Sequence, residues 1–244
     1  MKRAFCDLHL RANPKDVQAT QQLISKVARF GYRMISIPFT NKLNEPELAQ
    51  LKAASSQEGV DFVSRADYHP TTENDLKHFL RKFRRRFEVI CISCDNKEVA
   101  RQAAKDRRVD LLNFSSLDFR KRFFDRAEAE LASNCLSGLE VDMKPLTVME
   151  GPTRVRLLMS LRREVALAQE FHVPLVVSSG VGESRLIRYP RDLASITYLF
   201  DLDEASALDA VSTNPEAIVK RNREKLSSRF VAPGISIVKE GKTE

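Results

Sequence analysis

Seven short runs of apolar or β-branched residues recur along the 244-residue chain, and each is followed by a stretch with helical spacing. The runs are Arg3 to Leu8, Tyr32 to Ile37, Val60 to Arg65, Phe87 to Ser93, Val109 to Phe114, Gly138 to Met143 and Val173 to Ser178. Their unbroken apolar character fits strands buried on both faces, which is the condition of a parallel sheet covered by helices. Strand and helix alternating in this way imply parallel strands joined by right-handed crossovers. An α/β barrel and an open doubly wound sheet satisfy the pattern equally.

The intervening helices read clearly. Asn13 is placed to cap the first, with Pro14 at its first position, Asp16 completing a box-like cap, and Leu23, Ile24, Val27 and Ala28 on one face. Gly31 is placed to end it. A helix from about Asp75 to Arg86 puts Leu76, Phe79, Leu80 and Phe83 on an inward stripe and its cations outward. A helix of roughly 153–171 presents Val155, Leu158, Met159, Leu161, Val165, Ala166 and Ala168. After the seventh strand the chain stays helical, over 191–199, 203–210 and 215–225. No linker, repeat or low-complexity tract divides it, so residues 1–228 are expected to form one domain and 229–244 a loosely held extension. No run approaches the roughly 18 apolar residues of a membrane helix, and a cytoplasmic chain is expected. Of the four cysteines only Cys91 and Cys94 have a CxxC spacing, and on a strand they point to opposite faces. Buried thiols are expected, with no zinc site.

The formal charge of +7 favours a polyanionic partner. The cations are clustered: Arg81, Lys82, Arg84, Arg85 and Arg86; Arg101, Lys105, Arg107 and Arg108; Arg120, Lys121, Arg122 and Arg126; Arg185, Arg188 and Arg191. Any one cluster reads as a solvated helix face. Four of them at similar phases of one fold point to nucleic acid.

In parallel barrels the functional side chains stand where strands end. That rule selects Asp7, His9, Asn41, Lys42, Arg65, Asp67, His69, Asp95, Asn113, Asp142, Lys144, Ser178 and Ser179. Asp7 and His9 fall on one face by alternation and suit a divalent metal. A multinuclear hydrolase needs several imidazoles and carboxylates converging. Of the four histidines, His78 lies in the basic helix and His172 before the seventh strand, at the wrong end of the barrel. Asp7, His9 and His69 therefore read as a degenerate site with no bound metal, a single weak Mg²⁺ on oxygen ligands staying open. No GxSxG, GxGxxG or GxxxxGK[ST] signature is present. The turn from Ser178 to Gly182, with Arg185 and Arg188 nearby, is the best anion site, suited to an RNA backbone or a sugar phosphate.

The opening CDLH, the segments GLEVDMKPL and VVSSGVGESRLIRYPRDL, and the later STNPEAIVKRN together resemble the ribonuclease P protein component 3 family of archaea, whose eukaryotic relative is the 30 kDa subunit of nuclear ribonuclease P. The resemblance covers nearly the whole chain up to about Ser228. Its most specific part is Ser178-Ser179-Gly180 followed by Arg188-Tyr189-Pro190-Arg191-Asp192.

The resemblance implies a TIM-like, distorted seven-stranded β/α barrel with extra C-terminal helices, related to the polymerase-and-histidinol-phosphatase (PHP) metal phosphoesterases. Those enzymes begin with His-x-His and carry Asp-x-His near the last strand. Here Asp7 and Ser178-Ser179-Gly180 stand in those places, which implies a scaffold that has lost its metal. The implied function is that of a protein subunit in the ribonucleoprotein that removes the 5′ leader from precursor tRNA, with the RNA subunit and its Mg²⁺ carrying the chemistry. Implied partners are ribonuclease P RNA, protein component 2, the other ribonuclease P proteins and, indirectly, precursor tRNA. Phosphate contacts are expected from Lys42, Arg65, Arg81, Arg84, Arg85, Arg107, Arg120, Lys121, Lys144, Arg185 and Arg188. Phe79, Phe83 and Phe87 fall on the buried stripe, so backbone binding is expected and not an aromatic platform. Component 2 is expected on the weakly basic helices from Asp192 to Ala210. The alternatives are an active PHP-type phosphoesterase, and a sugar-phosphate barrel enzyme with Asp142 or Lys144 as base.

Overall fold

A computed structural model describes residues 3–40, 44–232 and 235–236. Nine parallel strands form the frame: β1 (Phe5–Asp7), β2 (Tyr32–Ile35), β3 (Phe39–Thr40), β4 (Asp61–Phe62), β5 (Arg65–Tyr68), β6 (Val89–Ser93), β7 (Leu111–Asn113), β8 (Gly138–Asp142) and β9 (Leu175–Ser178). They pair as two ladders, β1-β2-β4 and β3-β5-β6-β7-β8-β9. The run expected as the second strand, Tyr32 to Ile37, holds only β2, with β3 following after Pro38; the run expected as the third, Val60 to Arg65, holds β4 and just the first residue of β5, and pairing passes from β2·β4 to β3·β5 across the breaks. Pro38 lies at the first break and has no N–H to give a ladder. At the second, the Ser64 N–H is bonded to the Glu88 carboxylate at 2.6 Å instead of to a strand.

Among the described residues no ladder joins β9 to β1. The seam is held just beyond the strand ends, where the Gly180 N–H donates to the His9 carbonyl (3.0 Å) and the Arg11 N–H to the Val181 carbonyl (2.9 Å). The barrel is thus distorted, and open along one seam.

Helices α1 (Val17–Arg29), α2 (Glu45–Gln57), α3 (Glu73–Phe83), α4 (Lys97–Ala104) and α5 (Arg126–Cys135) cover the outside, followed by short α6 (Lys144–Val148) and long α7 (Gly151–Glu170). The first five begin alike. Asp16, Asn44, Thr72, Asn96 and Asp125 each accept the N–H three residues on, satisfying an end group that the helix itself cannot. Asn13 does not cap α1; its side chain takes the Lys15 N–H within the preceding turn. Gly31 ends the helix at φ +96°.

The stripe on α3 is as read: Leu76, Phe79, Leu80 and Phe83 are buried. On α7 it differs. Leu157, Leu161, Val165 and Ala168 face inward, while Val155 and Met159 are 57% and 66% exposed. Glu164 takes part of the buried face because Arg122 grips both its oxygens, at 2.7 and 2.6 Å. A paired carboxylate enters a core that an unpaired one could not.

The chain then runs through α8 (Pro190–Ile196) and α9 (Glu204–Ala210) to α10 (Thr213–Leu226). Inside the barrel, Cys6, Leu8, Met34, Val63, Val89, Cys91, Leu111 and Val176 form one apolar layer, closed from below by Ile218 and Val219 of α10. Cys94 packs in the outer core, opposite to Cys91. Asn222 fixes the plug by donating to the Glu88 carbonyl and to Asp110, both at 2.8 Å. Arg223 adds ion pairs with Asp61 and Glu88. Within the expected loose extension, β10 (Phe230–Ala232) and β11 (Ile235–Ser236) pair as an antiparallel hairpin. Asn41, Lys42 and residues 237–244 lie outside the described residues.

Truncating Ile218 to Ala should therefore open a cavity under the barrel and cost about 2–5 kcal/mol in urea unfolding, whereas Val155→Ala on the exposed side of α7 should cost well under that. Equal costs would mean that α10 does not plug the barrel.

Candidate functional site

Side chains alternate along a strand, so those above the apolar layer point into the barrel mouth: Arg65 and Asp67 from β5, Asn113 from β7, Glu140 and Asp142 from β8, and Ser178 from β9. Arg65 is fully buried. Its two terminal nitrogens meet the two oxygens of Glu140 at 2.6 Å each, its Nε donates to Asp67 at 2.6 Å, and one terminal nitrogen also donates to the Leu8 carbonyl at 2.8 Å. Glu140 further accepts from the Ser178 hydroxyl (2.8 Å) and the Asn113 amide (3.1 Å).

His9 lies above this pair. Its Nδ1 is 2.7 Å from Asp142 and its Nε2 is 3.2 Å from Asp67. The other oxygen of Asp142 takes the half-exposed Arg11 at 3.2 Å. With His9 protonated, three carboxylates face three cations.

The electrostatics follow the geometry. Burial pushes the Glu140 carboxyl up, but the Arg65 guanidinium outweighs it and the net shift is downward. Burial likewise disfavours the imidazolium of His9, and Asp142 and Asp67 more than compensate against Arg65, so His9 is raised above the ordinary histidine value. Asp7 stands apart. Its Oδ1 accepts the N–H groups of His9 (3.2 Å) and Ser179 (3.1 Å), Oδ2 has no partner among the described residues, and burial pushes its carboxyl up.

A metal does not fit this set. The donors that converge are His9, Glu140 and Asp142, within 4.8 Å of one another, and not the expected Asp7, His9 and His69. Asp7 faces the seam, because β1 ends at Asp7 and it is Leu8 that enters the apolar layer. His69 sits exposed at the rim, 3.4 Å from Asp95 and 3.0 Å from the Ser93 hydroxyl. Both oxygens of Glu140 are held by Arg65, and an imidazolium bonded at both nitrogens has no lone pair to give. Glu140 was missed in the sequence, although its place between Leu139 and Val141 on a buried strand was the available signal.

The turn after β9 is not a phosphate cradle. The Ser179 and Gly180 N–H groups are already given to Asp7 and His9. Gly180 has φ +67°, and a Cβ on Gly182 would stand 2.3 Å from the Arg11 carbonyl oxygen, so the turn packs tightly on the chain after β1.

The expected phosphate contacts do not share one face. Arg65 is buried in the mouth with its charge spent on carboxylates, and so is no RNA contact. Helix α3 and the loop after α4 lead into strand starts, placing Arg81, Arg84, Arg85 and Arg107 at the N-terminal end of the barrel; Arg120, Lys121, Lys144 and Arg185 follow strand ends and lie at the opposite end. Arg84 is half-buried, ion-paired with Asp110. Lys144 and Arg185 both approach Glu183, at 3.9 and 2.8 Å. Arg188 donates to the carbonyls of Arg185 and Ile187. Arg81, Arg85, Arg107, Arg120 and Lys121 are exposed, with no ion pair among the described residues. Lys42 lies outside them.

Helix α10 adds Arg221 and Lys225 to the N-terminal group. Burial and then Arg221 lower the Lys225 ammonium below its ordinary value; Asp110 pulls the other way, and Arg84 and Arg107 add smaller downward contributions. Cations from three elements thus crowd one surface, which no single run of sequence discloses. At the other end Phe119 is 53% exposed with the Arg120 guanidinium 5.6 Å from its ring centre, an aromatic surface that the sequence reading did not single out.

The family model for RNase P subunit p30 matches residues 4–227. The chain belongs to that family. It is 28% identical over 243 residues to ribonuclease P protein component 3 of Methanosarcina mazei, covering 98% of this chain and 95% of the relative. The same protein of Methanosarcina barkeri is 28% identical, with 98% of each covered. A chain in a cryo-EM structure of archaeal ribonuclease P with mature tRNA shares the fold at TM-score 0.81 and 22% identity, over 98% of this chain and all of that one. A putative prolidase from Bifidobacterium longum has a related fold at TM-score 0.56 and 10% identity, over 90% of this chain and 70% of that one. The p30 assignment favours the subunit reading over an active phosphoesterase. No helix of the described residues is long and apolar enough to cross a membrane.

Two consequences of the buried network are measurable. Glu140→Ala strands the Arg65 guanidinium and should cost about 3–5 kcal/mol of stability. Because His9 is raised in the folded chain, its contribution is complete below the ordinary imidazole value of about 6.5 and is lost as pH rises through the higher folded value. The Tm should therefore fall on the alkaline side, and His9→Gln should flatten that part of the profile.

Proposed function

We propose that this chain is a subunit of ribonuclease P which supports tRNA 5′ maturation by holding the RNA, the chemistry being left to the RNA subunit and its Mg²⁺. Beyond the family match, one observation carries the reading: at the N-terminal end of the barrel Arg84 and Arg221 share the one carboxylate of Asp110, beside the exposed Arg107 and Lys225. Like charges packed this closely repel, and a phosphate between them relieves the repulsion. Arg81 and Arg85 extend the same surface. Arg120 and Lys121, with Phe119, form a second contact at the opposite end, so that one barrel spans two RNA segments.

The mouth has no part in hydrolysis in this reading, because its carboxylates and imidazole are engaged by Arg65 and by each other. The chain itself binds no cofactor. Recognition is by shape and backbone, as folded RNA requires. Ribonuclease P RNA is the direct partner, and precursor tRNA is reached through it. Protein component 2 docks on the less charged side, where Tyr198 and Leu199 are 46% and 43% exposed beside α7, whose Arg162 holds the Leu199 carbonyl at 2.9 Å. Val155 and Met159 widen that apolar surface. The other ribonuclease P proteins assemble around this pair in the cytoplasm.

The test is precursor tRNA cleavage by the RNA subunit and component 2 over a Mg²⁺ series, with and without this chain. Adding it should lower the Mg²⁺ requirement, and Arg107→Ala with Lys225→Ala should remove much of that gain. Each lost phosphate contact should reduce the salt dependence of RNA binding by about 0.7–0.9 log units. An unchanged Mg²⁺ requirement would sink the reading. Met159→Glu with Leu199→Glu should weaken capture of component 2 in a pull-down and leave RNA binding intact; undiminished capture would remove that face.

A further inference from the structure

The barrel mouth holds an arginine between walls whose chemistry would suit a metal. Asp67, Glu140 and Asp142 supply hard oxygens and His9 an imidazole, the donor mixture that divalent cations accept. Three carboxylates turned toward one another away from water need a cation among them, since the cost of burying an unpaired charge is large. Arg65 supplies it, touching Asp67 and Glu140 at 2.6 Å each and the Leu8 carbonyl at 2.8 Å. Nothing in the packing alone asks for an arginine here. The layer directly below is filled by Leu8, Val63, Val89, Leu111 and Val176, which would accept another apolar side chain.

We infer that Arg65 is an internal substitute for a divalent cation: the native barrel excludes metal because the guanidinium occupies the centre of the carboxylate set, and removing that side chain converts the mouth into a metal site. The charge balance is the reason. Without Arg65 the three carboxylates keep only His9 and Arg11, whose side chain is 53% exposed and so poorly placed to neutralise the buried Glu140. A divalent ion restores the lost charge, and the space of the missing side chain admits the ion with water. Glu140, released from its two bonds to the guanidinium, becomes the ligand reaching furthest into that space. The inference is independent of which RNA the chain binds.

The experiment is a thermal unfolding titration of the full chain with Mn²⁺, comparing the native protein, Arg65→Ala, and Arg65→Ala combined with Glu140→Gln. The native protein should show no saturable shift. Arg65→Ala should melt lower in the absence of metal and gain roughly 5–10 °C at about a hundredfold excess over Kd; the double variant should lose most of that gain. If Arg65→Ala folds only when refolded with Mn²⁺, as read by circular dichroism, the proposal is supported. A saturable shift in the native protein that His9→Asn abolishes would overturn it. So would a folded Arg65→Ala that ignores Mn²⁺, or one that folds neither with nor without the ion.

Discussion

The bidentate pair between Arg65 and Glu140 is the interaction around which the barrel is arranged. Two charges removed from water attract strongly but forfeit their hydration, and such a pair persists only where every remaining lone pair and proton is satisfied. Asp67, Ser178, Asn113 and the Leu8 carbonyl meet that demand, and they come from β5, β9, β7 and the segment after β1. One buried ion pair therefore draws together strands from both sides of the seam, which no ladder joins. It also divides the interior: apolar and sealed by α10 below, polar and neutralised above.

The exposed cations follow from that division. Inside the mouth, each positive charge is consumed by a carboxylate. At the N-terminal end, Asp110 is the carboxylate among the described residues that pairs with both Arg84 and Arg221, and the surface keeps an excess. The net charge of +7 is consequently not taken up inside the barrel: among the described residues, unpaired cations stand at its N-terminal end, as Arg81, Arg85 and Arg107, and at the opposite end, as Arg120 and Lys121. The N-terminal rim is built on regular structure, because its cations are carried by the ends of α3, α4 and α10.

Much of this was legible in the sequence, and the failures have physical causes. The apolar runs disclosed the parallel frame, and the spacing of Leu76, Phe79, Leu80 and Phe83 disclosed the buried side of α3. The expected second strand stopped at Ile37, before Pro38, so the pairing that resumes at Phe39 beyond the proline was not foreseen. Arg65 was misread, and the buried Glu164 went unremarked, for one reason. A charge in the core is set by a partner far along the chain, and one-dimensional periodicity carries no information about Glu140 or Arg122. The turn at Gly180 looked open because glycines next to arginines commonly serve anions; here the same conformational freedom lets the chain lie against Asp142 and Arg11. The cationic crowding was hidden in the same way, its members lying on three elements that only the folded barrel brings together.

The position of the plug has a consequence for how the molecule is made. Every strand of the barrel precedes α10 in the chain, yet the layer formed by Cys6, Leu8, Met34, Val89 and Leu111 stays open to water on one side until Ile218 and Val219 arrive. As the chain leaves the ribosome, the strands emerge first and wait with their apolar floor exposed. Arrival of α10 is then the step that seals the floor, and apolar surface left open until then is of the kind on which aggregation begins.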